Sequence, residues 1–106
     1  MHKGVAPGAK VYAVKVCSAV SSSCSGTAIL QGVDFALDPN GDDDMSDAVD
    51  VVNLSLGASY GQRENPSVLA ADTASKFGIV VVASAGNSAN RPFISGSPST
   101  ATATIS

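Results

Sequence analysis

The chain has 106 residues, 44% of them apolar, and a formal net charge of −3 at pH 7. This size and composition predict one domain, or part of one, with a small apolar core. An acidic chain without Lys and Arg patches is a poor ligand for phosphate groups, which excludes nucleic acid and anionic membranes as partners. No apolar stretch approaches the roughly 20 residues that span a bilayer, and the opening MHKGVAPGAK lacks the apolar region of a secretion signal.

The first predicted element is a strand over Lys10–Val16. Its apolar residues are nearly continuous, as in strands that are buried on both faces of a parallel sheet. Directly after it, Cys17 and Cys24 bracket a serine-rich stretch. A zinc site needs cysteine doublets, which this pair lacks. We therefore expect a local disulfide, formed in an oxidising compartment, with two buried thiols as the alternative.

A first helix is predicted over Thr27–Leu37, with Ser25 or Thr27 as its N-cap. The second half of the chain continues the alternation of strands and helices. Val49–Leu56 and Ile79–Ser84 have the composition of buried strands. The helix between them begins where Asn65 can cap and Pro66 takes the first helical position, and it ends at Gly78.

The loop after the first helix is rich in acidic residues, which alternate with other residues. Oxygen ligands at every second position suit a hard cation such as Ca²⁺, and carboxylates this close repel one another without a counter-cation. The match to an EF-hand loop is imperfect, because Gly41 stands at the fourth place rather than the sixth and no glutamate closes the loop. The sequence leaves a calcium site and an acidic solvated turn as alternatives. The predicted ligands are Asp38, Asn40, Asp42, Asp44 and Asp47, with Asp50 following.

The predicted order β-α-β-α-β gives an α/β fold with a parallel sheet. Right-handed connections between strands in sequence order place both helices on one face of the sheet. The other apolar face is then bare, so we expect residues 1–106 to be a piece of a larger domain. The bare face and the open strand edges also predict self-association of the isolated chain. The tail is a Ser/Thr/Gly loop followed by the start of another β-prone run, up to Ser106.

In open parallel sheets the functional groups lie beyond the carboxyl ends of the strands. These ends consist here of small residues, and among them only Asn87 offers two fixed hydrogen-bond donors on a short side chain. Such a donor suits the stabilisation of an oxyanion. Asparagine is also common in turns, where it bonds to its own backbone, so the local pattern leaves both roles open.

Three motifs, GVAPGAKVYAVKV, VDVVNLSLG and VVVASAGN, resemble in this order the middle of the catalytic domain of subtilisin-like serine proteases. The resemblance runs from Gly4 to about Ser106 and implies a Ser-His-Asp endopeptidase that acts on polypeptides. The expected disulfide indicates that it is secreted or extracellular. It implies that Asn87 is the oxyanion-hole donor. The substrate-binding residues that it implies are Ser25 and Gly26 on one rim, Ser55, Leu56 and Gly57 on the edge strand, and Ser84, Ala85 and Gly86 on the pocket floor.

The catalytic triad of that family is not found in this sequence. Its Gly-Thr-His and Gly-Thr-Ser motifs do not occur, and the only histidine, His2, stands in MHKGVAP. We therefore expect a fragment that is inactive alone, lacks the triad-bearing segments on both sides and needs no cofactor for chemistry. The alternative function is a non-catalytic, calcium-stabilised α/β interaction domain. A nucleotide- or flavin-binding module would need a GxGxxG or GKS motif, and neither occurs.

Overall fold

A computed structural model describes residues 2–21, 23–62, 64–88 and 90–106. Two α-helices and a parallel two-stranded sheet form the regular part of these described ranges. The elements in chain order are α1 (Gly26–Leu37), a 3₁₀ turn (Met45–Asp47), β1 (Val51–Leu54), α2 (Pro66–Lys76) and β2 (Val80–Ala83). Within the described ranges, neither helix is long and apolar enough to cross a membrane.

Both predicted helices are confirmed, with their predicted caps. The Ser25 hydroxyl accepts a hydrogen bond from the main-chain N–H of Ala28 at the start of α1. At the start of α2, the Asn65 side chain accepts the N–H of Ser67 at 3.0 Å. The left-handed backbone of Gly78, at φ +92°, ends α2 without strain because glycine has no Cβ.

Strands β1 and β2 pair in parallel, with Val51 opposite Val80 and Leu54 opposite Ala83. They lie inside the two predicted strands and are shorter at both ends. The β-prone tail adds to β2, because the N–H of Ile105 donates to the carbonyl of Val81 at 2.9 Å. The predicted α/β class with a parallel sheet is therefore confirmed.

The core lies between the helices and one face of the sheet. It contains Val33, Val68, Ala71, Ala74, Ile79, Val81 and Ala101. The opposite face carries Val51 and Val80, whose side chains are 57% and 45% exposed. This is the apolar, uncovered face that the strand composition predicted.

The predicted first strand, Lys10–Val16, is not a strand in the structure, so the full β-α-β-α-β order is not shown. The segment runs along α1 instead, where the Tyr12 ring meets Phe35 edge-on at 5.5 Å and the Val14 side chain lies against Gly32. Val11 remains 85% exposed. An apolar run indicates which residues favour burial. A strand also needs a neighbouring strand to pair with, and that neighbour cannot be identified from local composition.

Candidate functional site

A cleft of about 280 Å³ lies beyond the carboxyl ends of β1 and β2. It brings together the residues that the sequence predicted at these two strand ends, although they are about thirty positions apart in the chain. The predicted residues that line it are Ser55, Leu56, Gly57, Ser84, Ala85, Gly86 and Asn87. Ala58, Ser59, Ser88, Ile94 and Gly96 complete the lining.

The two walls of the cleft are joined at their base by the end of the sheet. The N–H of Ser84 donates to the carbonyl of Leu54 at 3.2 Å, and the Ser84 hydroxyl donates to the carbonyl of Leu56 at 3.4 Å. The N–H groups of Leu56 and Gly57 have no main-chain acceptor among the described residues. This stretch therefore resembles an open sheet edge, which can pair with an extended peptide.

Asn87 lies at the rim of the cleft, fully outside β2. It follows Gly86, whose φ of +107° turns the chain out of the strand direction, as glycine allows. The Asn87 side chain is exposed and makes no hydrogen bond to the described residues. Its two amide N–H groups are therefore available to a ligand in the cleft.

A second pair of segments closes the cleft and was missed by the sequence analysis. Ala58 and Ser97 exchange both main-chain hydrogen bonds, at 3.1 and 3.0 Å, and the N–H of Gly61 donates to Ser95 at 3.0 Å. Gly96 is buried between them, where an added Cβ would lie 2.6 Å from the carbonyl oxygen of Ala58. These contacts join residues almost forty positions apart. In the sequence, only the presence of glycine at position 96 indicated that another backbone segment could approach closely.

Ser25 and Gly26, predicted on the opposing rim of the groove, do not line this cleft. They begin α1, where Ser25 is the N-cap, and the Ser25 N–H donates to the carbonyl of Val16 at 3.1 Å. Their substrate-binding role stays a prediction. Nearby, the Sγ atoms of Cys17 and Cys24 are joined in a disulfide, 1.98 Å apart, which closes the serine-rich loop directly before α1.

The acidic loop folds around the Asp38 carboxylate. This group accepts main-chain N–H donors from Gly41 at 2.7 Å, Asp42 at 3.2 Å and Asp43 at 2.8 Å. Carboxylate oxygens of Asp38, Asp42 and Asp47 also lie within 4.8 Å of one another. Three of the predicted calcium ligands therefore converge within the described part of the chain.

The other two predicted ligands, Asn40 and Asp44, bond to the backbone of the same loop. The Asn40 side-chain oxygen accepts the N–H of Asp42 at 2.9 Å, and the Asp44 carboxylate accepts the N–H of Ser46 at 3.0 Å. A series of such side-chain to main-chain bonds shapes an acidic turn by itself. The geometry is therefore compatible with both alternatives that the sequence left open.

We predict that the Asp38 carboxylate stabilises this loop only while it is ionised. Desolvation would raise its pKa, but the main-chain donors Asp43, Gly41 and Asp42 outweigh this and hold the pKa below its ordinary value. The contribution is then complete above the unfolded value of about 3.9 and is lost as the pH falls through the lower folded value. In thermal melts, Asp38→Asn should lower Tm near neutral pH, and the gap to the unsubstituted protein should close in acid.

The control for this prediction is Asp50→Asn, which removes the same charge from an exposed acidic residue. Its effect on Tm should be small at every pH. If Asp38→Asn lowers Tm as much in acid as at neutral pH, the role of the ionised carboxylate is contradicted.

Comparison with known proteins gives a consistent result. A model of the subtilase family matches residues 1–106. Subtilisin DY of Bacillus licheniformis is 43% identical over 87 residues, which is 80% of this chain and 27% of the relative. Subtilisin E of Bacillus subtilis (strain 168) is 39% identical over 97 residues, 92% of this chain and 22% of the relative. Subtilisin-like protease SBT4.10 of Arabidopsis thaliana is 35% identical over 98 residues, 91% of this chain and 13% of the relative. The chain thus spans about a quarter of the length of these relatives, or less.

Proposed function

This chain belongs to the subtilase family, and on that premise we propose that it forms part of the catalytic domain of a serine endopeptidase. The observation that carries the proposal is the cleft, which gathers Asn87 and the two strand ends Ser55–Gly57 and Ser84–Gly86 around one space. The substrate is a polypeptide, bound in extended form. The disulfide and the subtilisin relatives support a secreted protein, because disulfides persist in oxidising compartments.

In this proposal the peptide binds by strand addition. The N–H group of Gly57, which has no main-chain acceptor among the described residues, donates to a carbonyl group of the substrate backbone, which fixes its direction. The small residues Ala85 and Gly86 let one substrate side chain enter between the walls. The scissile carbonyl then lies near Asn87, whose amide N–H donates to the oxygen as it becomes negatively charged.

The nucleophile and its base come from other segments of the full-length protein. In the chemistry of the family, a serine attacks the scissile carbonyl while a histidine, oriented by an aspartate, accepts its proton. This chain has only one histidine, His2, which is exposed and lies outside the cleft. The part of the site formed here therefore binds substrate and stabilises charge, but it does not start the reaction.

Labelling with a fluorophosphonate, which reacts with activated serines, tests this proposal. The full-length protein should be labelled and should cleave peptides, whereas the isolated 106-residue chain should show neither property. The isolated chain should also self-associate in light scattering through the exposed face at Val51 and Val80. An unlabelled full-length protein would refute the endopeptidase. A labelled isolated chain would refute its predicted inactivity, and a stable monomer at high concentration would refute its predicted self-association.

We further propose that Ca²⁺ stabilises the acidic loop. The converging oxygens of Asp38, Asp42 and Asp47 support this, with Asn40 and Asp44 as the remaining oxygen donors. At a free concentration about 100 times its Kd, the ion should stabilise the fold by about 2.7 kcal/mol. Melting curves in calcium and in chelator should therefore differ, and identical curves would favour the acidic turn. The same loop supports the second candidate function, a non-catalytic calcium-stabilised interaction domain, which the fluorophosphonate experiment separates from the peptidase.

A further inference from the structure

The position of the Asn87 amide depends on the backbone that carries it, because the side chain is exposed and bonds to none of the described residues. After β2 ends, the carbonyl of Ala85 accepts the N–H of Gly96 at 3.3 Å. Within the described ranges, neither Gly86 nor Asn87 takes part in a main-chain hydrogen bond. The Gly96–Ala85 bond is therefore the last one in these ranges that fixes the backbone before Asn87.

Ser99 holds Gly96 from the other side. Its side chain is only 7% exposed, and its hydroxyl donates to the carbonyl of Gly96 at 2.7 Å. The main-chain N–H of Thr100 donates to the same carbonyl at 3.2 Å. A buried hydroxyl is costly unless it is hydrogen-bonded, so the Ser99–Gly96 bond is one that this position requires. Two donors together fix the orientation of the Gly96 carbonyl.

A continuous series of hydrogen bonds thus runs from Ser99 through Gly96 to Ala85, two residues before Asn87. It joins the segment that closes the cleft to the segment that follows β2. Gly96 and Ala85 line the cleft, whereas Ser99 does not. Any effect of the Ser99 hydroxyl on a bound ligand must therefore pass through the residues that it holds.

We propose that Ser99 is a positioning residue, which orients the Asn87 amide toward the oxyanion. This inference rests on the proposed function, because it concerns the donor of the same site. Without the hydroxyl, the Gly96 carbonyl loses one of its two donors, and the backbone from Ala85 to Gly86 gains freedom. A shift of about 1 Å in a group that contacts the reacting atoms can cost up to about 10²-fold in rate. Ser99 therefore affects kcat through Asn87.

The experiment measures peptide hydrolysis by the full-length protein with Ser99→Ala, with Asn87→Leu and with both changes together. Expressing kcat per active site titrated with a fluorophosphonate removes any loss of folded protein from the comparison. Ser99→Ala should lower kcat by about 3- to 10-fold and change KM by less than about 2-fold. In the Asn87→Leu background, Ser99→Ala should lower kcat by less than about 2-fold, because the donor that Ser99 positions is then absent.

A second variant and a matched control accompany this cycle. Ser99→Cys fills the space of the hydroxyl with a thiol, which is only a weak donor, so its kcat should also fall while the packing is kept. The control Ser75→Ala removes a hydroxyl that donates to the carbonyl of Ala71 at 3.0 Å, within α2 and outside the cleft. Its kcat should equal that of the unsubstituted protein.

Three results would contradict this inference at different levels. An unchanged kcat in both Ser99 variants, or an equal loss of kcat with and without the Asn87 amide, would overturn the positioning role and leave the endopeptidase intact. A normal kcat in Asn87→Leu alone would overturn the oxyanion role and the positioning role together. No hydrolysis by the unsubstituted full-length protein would overturn the proposed function itself.

Discussion

Replacing Asn87 with leucine in the full-length protein should lower kcat by about 10²–10³-fold and leave KM almost unchanged; this is the size known for an oxyanion-hole asparagine in this family, not a value derived from the structure. Leucine keeps the approximate size of the side chain and removes both N–H donors. The amide of Asn87 has no partner among the described residues, so none of the hydrogen bonds between those residues is lost with it. The donor acts only on an oxygen that becomes charged in the transition state, which is why kcat falls and KM does not.

Gln62→Leu is the matched control, since it removes a carboxamide from an exposed residue that does not line the cleft. Its kcat should stay close to that of the unsubstituted protein. A purely structural role for Asn87, as in a turn, gives a different pattern. In that case Asn87→Leu lowers Tm while the folded fraction keeps a normal kcat, and this result would refute the oxyanion role.

Gly96→Val should give a large loss of stability. The first added carbon would lie 2.6 Å from the main-chain oxygen of Ala58, and a backbone atom cannot rotate away as a side chain can. The Ala58–Ser97 pair must separate, which removes two main-chain hydrogen bonds. We expect the free energy of unfolding to fall by about 3 kcal/mol, the sum expected for overpacking and lost hydrogen bonds.

Urea unfolding of the full-length protein measures this effect. The control Gly8→Val adds the same side chain at an exposed glycine with no atom within 4 Å of the added Cβ. Its effect should stay within about 0.5 kcal/mol. Equal unfolding free energies for the two variants would mean that the close approach of Gly96 to Ala58 does not contribute to the stability of the fold.

The sequence predicted best what is determined locally. Ser25 and Asn65 were expected as helix caps because their side chains reach main-chain N–H groups two or three residues away, and the structure has both bonds. Gly78 was expected to end α2 because only glycine enters the left-handed region without cost, and its φ is +92°. None of these features depends on the rest of the fold.

The sequence predicted less well what depends on distant segments. The apolar run Lys10–Val16 gave no information on its neighbour, and the structure places it along α1 rather than in the sheet. The residues around Gly96 were read only as a loop, because their partner Ala58 is far away in the chain. In contrast, the strand ends at Leu56 and Ala85 were predicted to meet, since parallel strands end at the same edge of a sheet.

A structure of the full-length protein with a peptidyl boronic acid bound to its nucleophilic serine tests the central claim most directly. The boron adduct is tetrahedral and carries an oxygen where the oxyanion forms. We predict that the Asn87 side-chain nitrogen lies about 2.7–3.1 Å from that oxygen, with the peptide paired to the open edge at Gly57. An adduct whose peptide lies outside this cleft, or an Asn87 amide more than about 4 Å from the oxygen and beyond hydrogen-bond reach, would contradict the account.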